Sequence, residues 1–393
     1  MAINIATPNI DDLRHQSVSS SNFDPTTDLY TNDVINVPGG WTTTTVRIHG
    51  GSDTVYGRDS DDIIYDNRAI NGRPLVAPDG STYIPAGSGS SGDDRIFAAG
   101  GRDTIFAGDG QNYYDGGAET DTVVYSRASV GVNVDLDTGN GQGSGVGDGV
   151  DTLVSIENVT GSNYDDTIAG SGVANVLVGG IGDDSLHGGG GRDSLFGGAD
   201  DDMLDGGGDG DKLYGDEGTD TLVYLFSPNG VVIDLANGTA SGGDAQGDSF
   251  RSIENVWGSQ YDDTLRGDSG DNVLFGAKGQ DVLAGGKGSD RFVYGSPNES
   301  TRLRPDIIQD FVKGEDIIDL SGLDNVLTPF AAGSQPAPSM TFVDSFSGVA
   351  GQVTARPQGG ATMVYADLDG DRVADFVIQL SNSVPLTAND FWL

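Results

Sequence analysis

The apolar residues of this chain recur at a fixed interval. Between residues 166 and 222 an acidic or amide residue followed two places later by an aliphatic one appears every nine positions: Asp166, Asn175, Asp184, Asp193, Asp202, Asp211 and Asp220, with Ile168, Leu177, Leu186, Leu195, Leu204, Leu213 and Leu222. The same frame runs through Asp94, Asp103, Asn112 and Asp121 with Ile96, Ile105, Tyr114 and Val123, and through Asp263, Asn272, Asp281 and Asp290 with Leu265, Leu274, Leu283 and Phe292. A shorter pair, Asp53 and Asp62 with Val55 and Ile64, opens the series. One central aliphatic in each row predicts a three-residue strand with that side chain turned inward, and the six glycine-rich residues before it predict a turn. Two rows then form one 18-residue coil with a strand on each side. Stacked coils form a parallel β-roll, an all-β solenoid of nonapeptide repeats in several blocks.

Two longer segments interrupt the frame and resemble each other. The stretches 120–141 and 150–170 match 219–240 and 247–267, sharing an alternating strand, a glycine-rich hairpin and Ser-Ile-Glu-Asn-Val leading into Tyr-Asp-Asp. Their alternating residues Val132, Val134, Leu136 and Val231, Ile233, Leu235 predict strands that extend the solenoid. The resulting division is an N-terminal cap or lead at 1–45, a first roll block at 46–125 with a loop inserted at 66–90, and a β insert at 126–162. A second block at 163–225, a second insert at 226–260, a third block at 261–296 and a β-rich C-terminal cap at 297–393 follow.

Composition changes the picture by adding charge. The chain of 393 residues has 60 acidic against 20 basic side chains, a formal charge of −40, and 63 glycines. Such a surface excludes nucleic acid as an electrostatic partner, and a compact chain carrying it calls for bound cations. Zero cysteines exclude disulfides and thiolate metal sites. No apolar run is long enough to span a membrane. The opening MAINIATPNIDDLRHQ lacks a basic region and an apolar stretch, so export without an N-terminal signal peptide is expected.

Rows such as GGIGDDSLH (179–187) and GGGGRDSLF (188–196) resemble the calcium-binding nonapeptide of RTX proteins, and the resemblance covers most of residues 46–296. It implies Ca²⁺ held between same-side turns 18 residues apart, by both row acids and by turn carbonyls, a donor set that suits a hard cation. Carried over, Asp184 and Asp202 share an ion with the carbonyls of Gly180, Gly182, Gly197 and Ala199; Asp202 and Asp220 use Gly198, Asp200, Gly215 and Glu217; and Asp193 and Asp211 use Gly189, Gly191, Gly206 and Gly208. The same pattern places Ser162, Tyr164, Gly179 and Ile181 with Asp166 and Asp184, Gly276 and Lys278 with Asp263 and Asp281, and Gly285 and Lys287 with Asn272 and Asp290. With 94/112, 103/121 and 175/193 this makes about nine inter-turn sites, and those using Asn112, Asn175 or Asn272 have one negative ligand fewer. The implied behaviour is folding on calcium binding: unfolded and export-competent where calcium is scarce, folded outside the cell.

The segments PDIIQDFVKGEDIIDLSGLD (305–324), YADLDGDRVADFVIQL (365–380) and LTANDFWL (386–393) resemble the C-terminal region of serralysin-type secreted metalloproteases. That resemblance implies a cap on the roll, a type I secretion signal at the chain end, the type I secretion apparatus as partner and an extracellular location. Asp367, Asp369 and Asp371 resemble the start of an EF-hand loop, but its twelfth place is Ile378, so a turn of solvated aspartates is expected. Asp306, Asp310, Asp316 and Asp319 read as a polar edge.

No catalytic constellation is legible. His15, His49 and His187 are scattered and none is followed by glutamate, which excludes the His-Glu-x-x-His zinc site of a complete serralysin within these residues. No Gly-x-Ser-x-Gly elbow is present, and the sole Asp-Pro, Asp24-Pro25, is followed by Thr26 and not by the histidine of alginate epimerases. The expected function is a secreted calcium-binding structural, matrix or adhesion protein. The alternatives are a polysaccharide-binding module, and a carbohydrate-active enzyme of unrecognised kind. Aromatics at the last place of several rows motivate the former, with Phe196 and Tyr214, 18 residues apart, as sugar contacts. Those rings equally suit packing over glycine backbone or against the neighbouring insert.

Overall fold

The computed structural model describes residues 93–108, 110–138, 150–323 and 340–393 in full, and backbone strands alone between residues 16 and 83 and at 141–144. The expected lead at 1–45 and the inserted loop at 66–90 lie outside the described residues, apart from short strands such as Val34–Asn36 and the antiparallel pair Leu75–Val76 and Thr82–Tyr83. Among the described residues the regular structure is strand, with short 3₁₀ turns at Gly243–Ala245, 321–323 and Ala388–Asp390. The fold is the expected all-β roll. The chain divides into two compact units, Met1–Gly189 with Phe196–Ala199, and Gly190–Leu195 with Asp200–Leu393.

In the first unit, three-residue strands pair in parallel across the expected repeat. Thr104–Phe106 pairs with Thr122–Val124, which pairs with Asn158–Thr160 and then Val176–Ile181, aligning Ile105, Val123, Val159 and Leu177. All four are fully buried, because alternation turns the central residue of each strand inward while its neighbours face out. Val134, Ile168 and Leu186 align the same way. The step from Val123 to Val159 is 36 residues, so the insert contributes coils that stack in line with the rows. Its hairpin is the antiparallel pair Gly141–Ser144 and Val150–Val154.

The second unit repeats this logic. Leu204, Leu222, Val256, Leu274, Phe292 and Ile318 align along one core edge, and Ile233, Leu265, Leu283 and Ile308 along the other. All ten are fully buried. The cap grows directly from this scaffold: Phe376–Leu380 pairs in parallel with Asp306–Ile308, and Ala361–Asp367 and Gln352–Gln358 follow antiparallel. The terminal strand Phe391–Trp392 pairs in parallel with Ile317–Asp319.

Candidate metal centre

The row acids are buried charges, which a folded chain tolerates only when they are paired or coordinated. Each sits just before its strand, and its side chain reaches the backbone of the preceding same-side row. Asp94 N–H donates to Asn112 Oδ1 over 2.9 Å, Asp103 to Asp121 over 2.7 Å and Asp166 to Asp184 over 2.7 Å in the first unit. In the second, Asp193 donates to Asp211, Asp202 to Asp220, Asp263 to Asp281 and Asn272 to Asp290, over 2.8, 2.9, 2.8 and 3.0 Å. These seven expected pairs are brought together. Asn175 and Asp184 belong to the first unit, Asp193 and Asp202 to the second.

In four of these acceptors one carboxylate oxygen is thereby satisfied and the other is not. Oδ2 of Asp121, Asp211, Asp220 and Asp281 is buried with no hydrogen-bond partner. Burial raises their pKa accordingly: Asp121 and Asp220 to about 6, Asp211 to about 7 and Asp281 to about 9, with nearby carboxylates adding to the rise. Asp184 is pushed to about 7 by the same cause. Repeated bare carboxylate oxygens beside glycine-rich turns form a hard, anionic oxygen donor set, which fits Ca²⁺.

The first glycine of the motif is explained by space and the second by conformation. A Cβ on Gly215 would lie 2.2 Å from Oδ2 of Asp220 and 2.1 Å from the Ser252 carbonyl oxygen, so the acid occupies the volume a side chain would need. Gly198 has φ +127, and its Cβ would meet the Gly180 carbonyl oxygen at 2.2 Å. The turn residues whose carbonyls were expected to serve lie in the segments before each row acid, with Ile181, Asp200, Glu217, Lys278 and Lys287 exposed at the surface.

Ladder acids also come from places the nine-residue frame does not reach. Asn112 N–H donates to Asp151 Oδ1 over 2.9 Å and Asp121 N–H to Glu157 over 2.8 Å; in the second insert Asp211 donates to Asp248 and Asp220 to Glu254 over 2.9 and 2.8 Å. The expectation of a polar edge in the cap is overturned. Asp306, Asp316 and Asp319 are buried, and the first two accept from Asp281 and Asp290 N–H over 2.9 and 3.1 Å, continuing the ladder. Asp310 accepts from Gly285 and Gly286 N–H, both over 3.0 Å. Burial and then repulsion from Glu299 push Asp306 up to about 8, and its Oδ2 has no hydrogen-bond partner. The signal for the insert acids was available, since aligning the two inserts puts Asp151 with Asp248 and Glu157 with Glu254.

Not every rung is bare. Asp166 accepts from Ser162 N–H and Oγ and from Val132 N–H, and Asp263 accepts from Ser259 N–H and Oγ and from Val231 N–H. Asp151 and Asp248 accept from the hydroxyls of Tyr125 and Tyr224. In the cap, Asp367 accepts from Gly370 and Arg372 N–H, while Asp371 accepts from Val373 N–H, and the acid that approaches Asp367 and Asp369 is Asp375. Of the expected sugar contacts, Tyr214 lies under the Arg251 guanidinium, 4.3 Å from its ring centroid, which is packing against the neighbouring insert. Phe196 belongs to the first unit and Tyr214 to the second.

Two family models match this chain. The family model described as peptidase M10 serralysin C terminal matches residues 112–393. The chain belongs to that family. The model of the RTX calcium-binding nonapeptide repeat (4 copies) matches residues 49–67 and 88–123, so this serralysin C-terminal family member carries RTX calcium-binding repeats. Both domains are typical of secreted proteins. A curated relative, Metalloprotease AprA of Pseudomonas entomophila (strain L48), is 33% identical over 98 residues, 24% of this chain and 19% of that protein. The chain therefore spans about a fifth of that relative's length. Among solved structures, the solution structure of the AlgE6R3 subunit of the Azotobacter vinelandii mannuronan C5-epimerase is similar at 17% identity and a TM-score of 0.21, covering 58% of this chain and 78% of that one. Among the described residues no helix is long and apolar enough to cross a membrane.

Proposed function

We propose that this chain is an extracellular, non-catalytic protein that folds as it binds about nine Ca²⁺ ions between its coils. The observation that carries the reading is the set of buried, unpartnered Oδ2 atoms on Asp121, Asp211, Asp220, Asp281 and Asp306. Bound calcium would supply the positive charge that lets these carboxylates stay ionised inside the protein. The chain's own part is to hold them: backbone N–H groups fix Oδ1, the first glycine of each row leaves room for Oδ2, and turn carbonyls complete the donors. The ligand assignments are those of the row pairs, extended by Asp306 and Glu299 beside Asp281. Glu299 is also pushed up, to about 6, chiefly by burial.

Where calcium is scarce, the same acids oppose compaction, since the ladder concentrates like charges on each edge of the roll. A chain kept open in this way suits passage through a type I secretion apparatus, and calcium outside the cell would then close the coils. The proteolysis in the relative's name has no counterpart in these residues, which contain no His-Glu-x-x-His. A calcium titration followed by circular dichroism, with metal counting on the same sample, tests the reading. A chain that is folded in EDTA and retains no calcium would overturn it.

A further inference from the structure

One outer sheet face of the second unit is aromatic in a chain that is otherwise acidic. Strands Asn255–Trp257, Val273–Phe275, Arg291–Val293, Ile317–Asp319 and Phe391–Trp392 pair in parallel, in a register that places Trp257, Phe275, Val293, Asp319 and Trp392 side by side. Val256, Leu274 and Phe292, one place earlier on the first three strands, are fully buried, so alternation turns Trp257, Phe275 and Val293 outward, while Asp319 is covered between Val293 and Trp392. Trp257 and Phe275 meet edge to face with ring centroids 6.1 Å apart. Trp392 keeps 49% of its surface exposed, with the Arg291 guanidinium 5.0 Å from its ring centroid. Arg291 also pairs with Asp319 at 3.7 Å, so those two charges cancel.

The roll itself does not require rings at these positions. The equivalent outward row on the opposite sheet of the same unit reads Asp234, Arg266 and Ala284. Both rows flank equally buried core residues, so the aromatics answer to something other than the core.

We propose that the row Trp257, Phe275, Val293 and Trp392 is a docking surface for an uncharged, linear polysaccharide. Five adjacent strands span about 19 Å at the usual interstrand spacing. With two outward side chains per strand the surface is long and narrow, which suits an extended polymer of pyranose rings better than a rounded protein face. Aromatic faces complement the C–H faces of sugars, and large rigid rings lose little entropy on binding. The charge favours a neutral polymer: the chain carries −40, and Arg291, two places before Val293 on the same strand, is committed to Asp319 and to the Trp392 ring. A polyuronate would meet repulsion from that excess charge. This goes beyond the calcium reading and needs only the folded second unit.

The test is affinity electrophoresis of the full chain in saturating calcium, through gels containing hydroxyethyl cellulose, galactomannan, dextran or alginate. Retardation by at least one of the neutral polymers, and none by alginate, is expected. Trp392→Ala, at an exposed position, should reduce that retardation at least about fivefold while its circular dichroism in calcium matches the parent, as loss of one anchoring ring does. Trp257→Ala should do the same provided its circular dichroism in calcium matches the parent. Migration unaffected by all three neutral polymers, undiminished retardation of Trp392→Ala, or preference for alginate would overturn the proposal. So would self-association in sedimentation that Trp392→Ala abolishes while no glycan is retained, since the face would then belong to a second copy.

Discussion

Tyr224 donates its hydroxyl to Oδ2 of Asp248 over 2.9 Å, with both side chains buried. Tyr125 makes the same bond to Asp151 over 3.2 Å in the other insert. At Asp211 and Asp220 the corresponding oxygen is bare. The two tyrosines thus tie the ladder with a protein donor where the hairpins interrupt the rows.

Tyr224→Phe keeps the ring and removes that donor. Leaving a buried carboxylate oxygen unsatisfied costs about 1–3 kcal/mol. The expected outcome is a lower Tm in saturating calcium, read by differential scanning calorimetry. An unchanged Tm would mean the hydroxyl does not hold the seam.

Gly215→Ala inserts a methyl where Oδ2 of Asp220 lies, so the acid must leave its place or the turn must open. Overpacking of this kind costs about 1–3 kcal/mol before any lost ligation is added. Gly172→Ala is the control, because its Cβ meets nothing within 4 Å and its φ is not in the left-handed range. The calcium midpoint for folding should rise for Gly215→Ala and stay put for Gly172→Ala.

Asp202→Ala removes a carboxylate expected to serve two successive sites, whereas Asp94→Ala removes one expected to serve a single site, with Asn112. The first should shift the calcium midpoint further. Equal midpoints in parallel titrations would count against shared ligation.

Burial, followed by the neighbouring charge of Asp306 for Asp281 and of Glu299 for Asp306, holds these carboxyls up at about 9 and about 8. An unfolded aspartate titrates near about 3.9. A folded pKa raised above the unfolded one favours the metal-free fold fully below about pH 4, and the benefit is lost as pH climbs through 8 to 9. Residual structure in EDTA should therefore fall between pH 5 and pH 8. Calcium competes for the same oxygens, so its apparent affinity should rise over that window. Tryptophan fluorescence in EDTA across the range, beside calcium titrations at both ends, checks the sign; a flat EDTA profile would contradict it.

The coil frame was legible because each row offers one inward position, and residues such as Leu204 and Leu274 have no other way to be buried. The row acids were legible for the same reason, being locked to that frame. Asp151 and Asp248 were not, because the hairpins stretch the 18-residue return to 39 after Asn112 and 37 after Asp211. Asp306 and Asp316 escaped through returns of 25 and 26 residues. What defines a rung is where the chain comes back beside its predecessor, and longer connections change the count without moving the place. Glu157 and Glu254 reach the same backbone N–H with one methylene more.

The ladder also has a direction. In the bonds that a row acid accepts from a neighbouring row's backbone, the donor is the earlier row and the acceptor the later one, as from Asp202 to Asp220 and from Asp281 to Asp306. The acids just before the row acids run the other way, with Asp183 N–H donating to Asp165, Thr219 N–H to Asp201 and Gln280 N–H to Asp262. In the second unit the final donors, Asp281 and Asp290, are met by Asp306 and Asp316. Without the C-terminal segment the N–H groups of Asp281 and Asp290 lose these acceptors, so the last rows of the roll are completed by the chain that follows them and not by their own repeat.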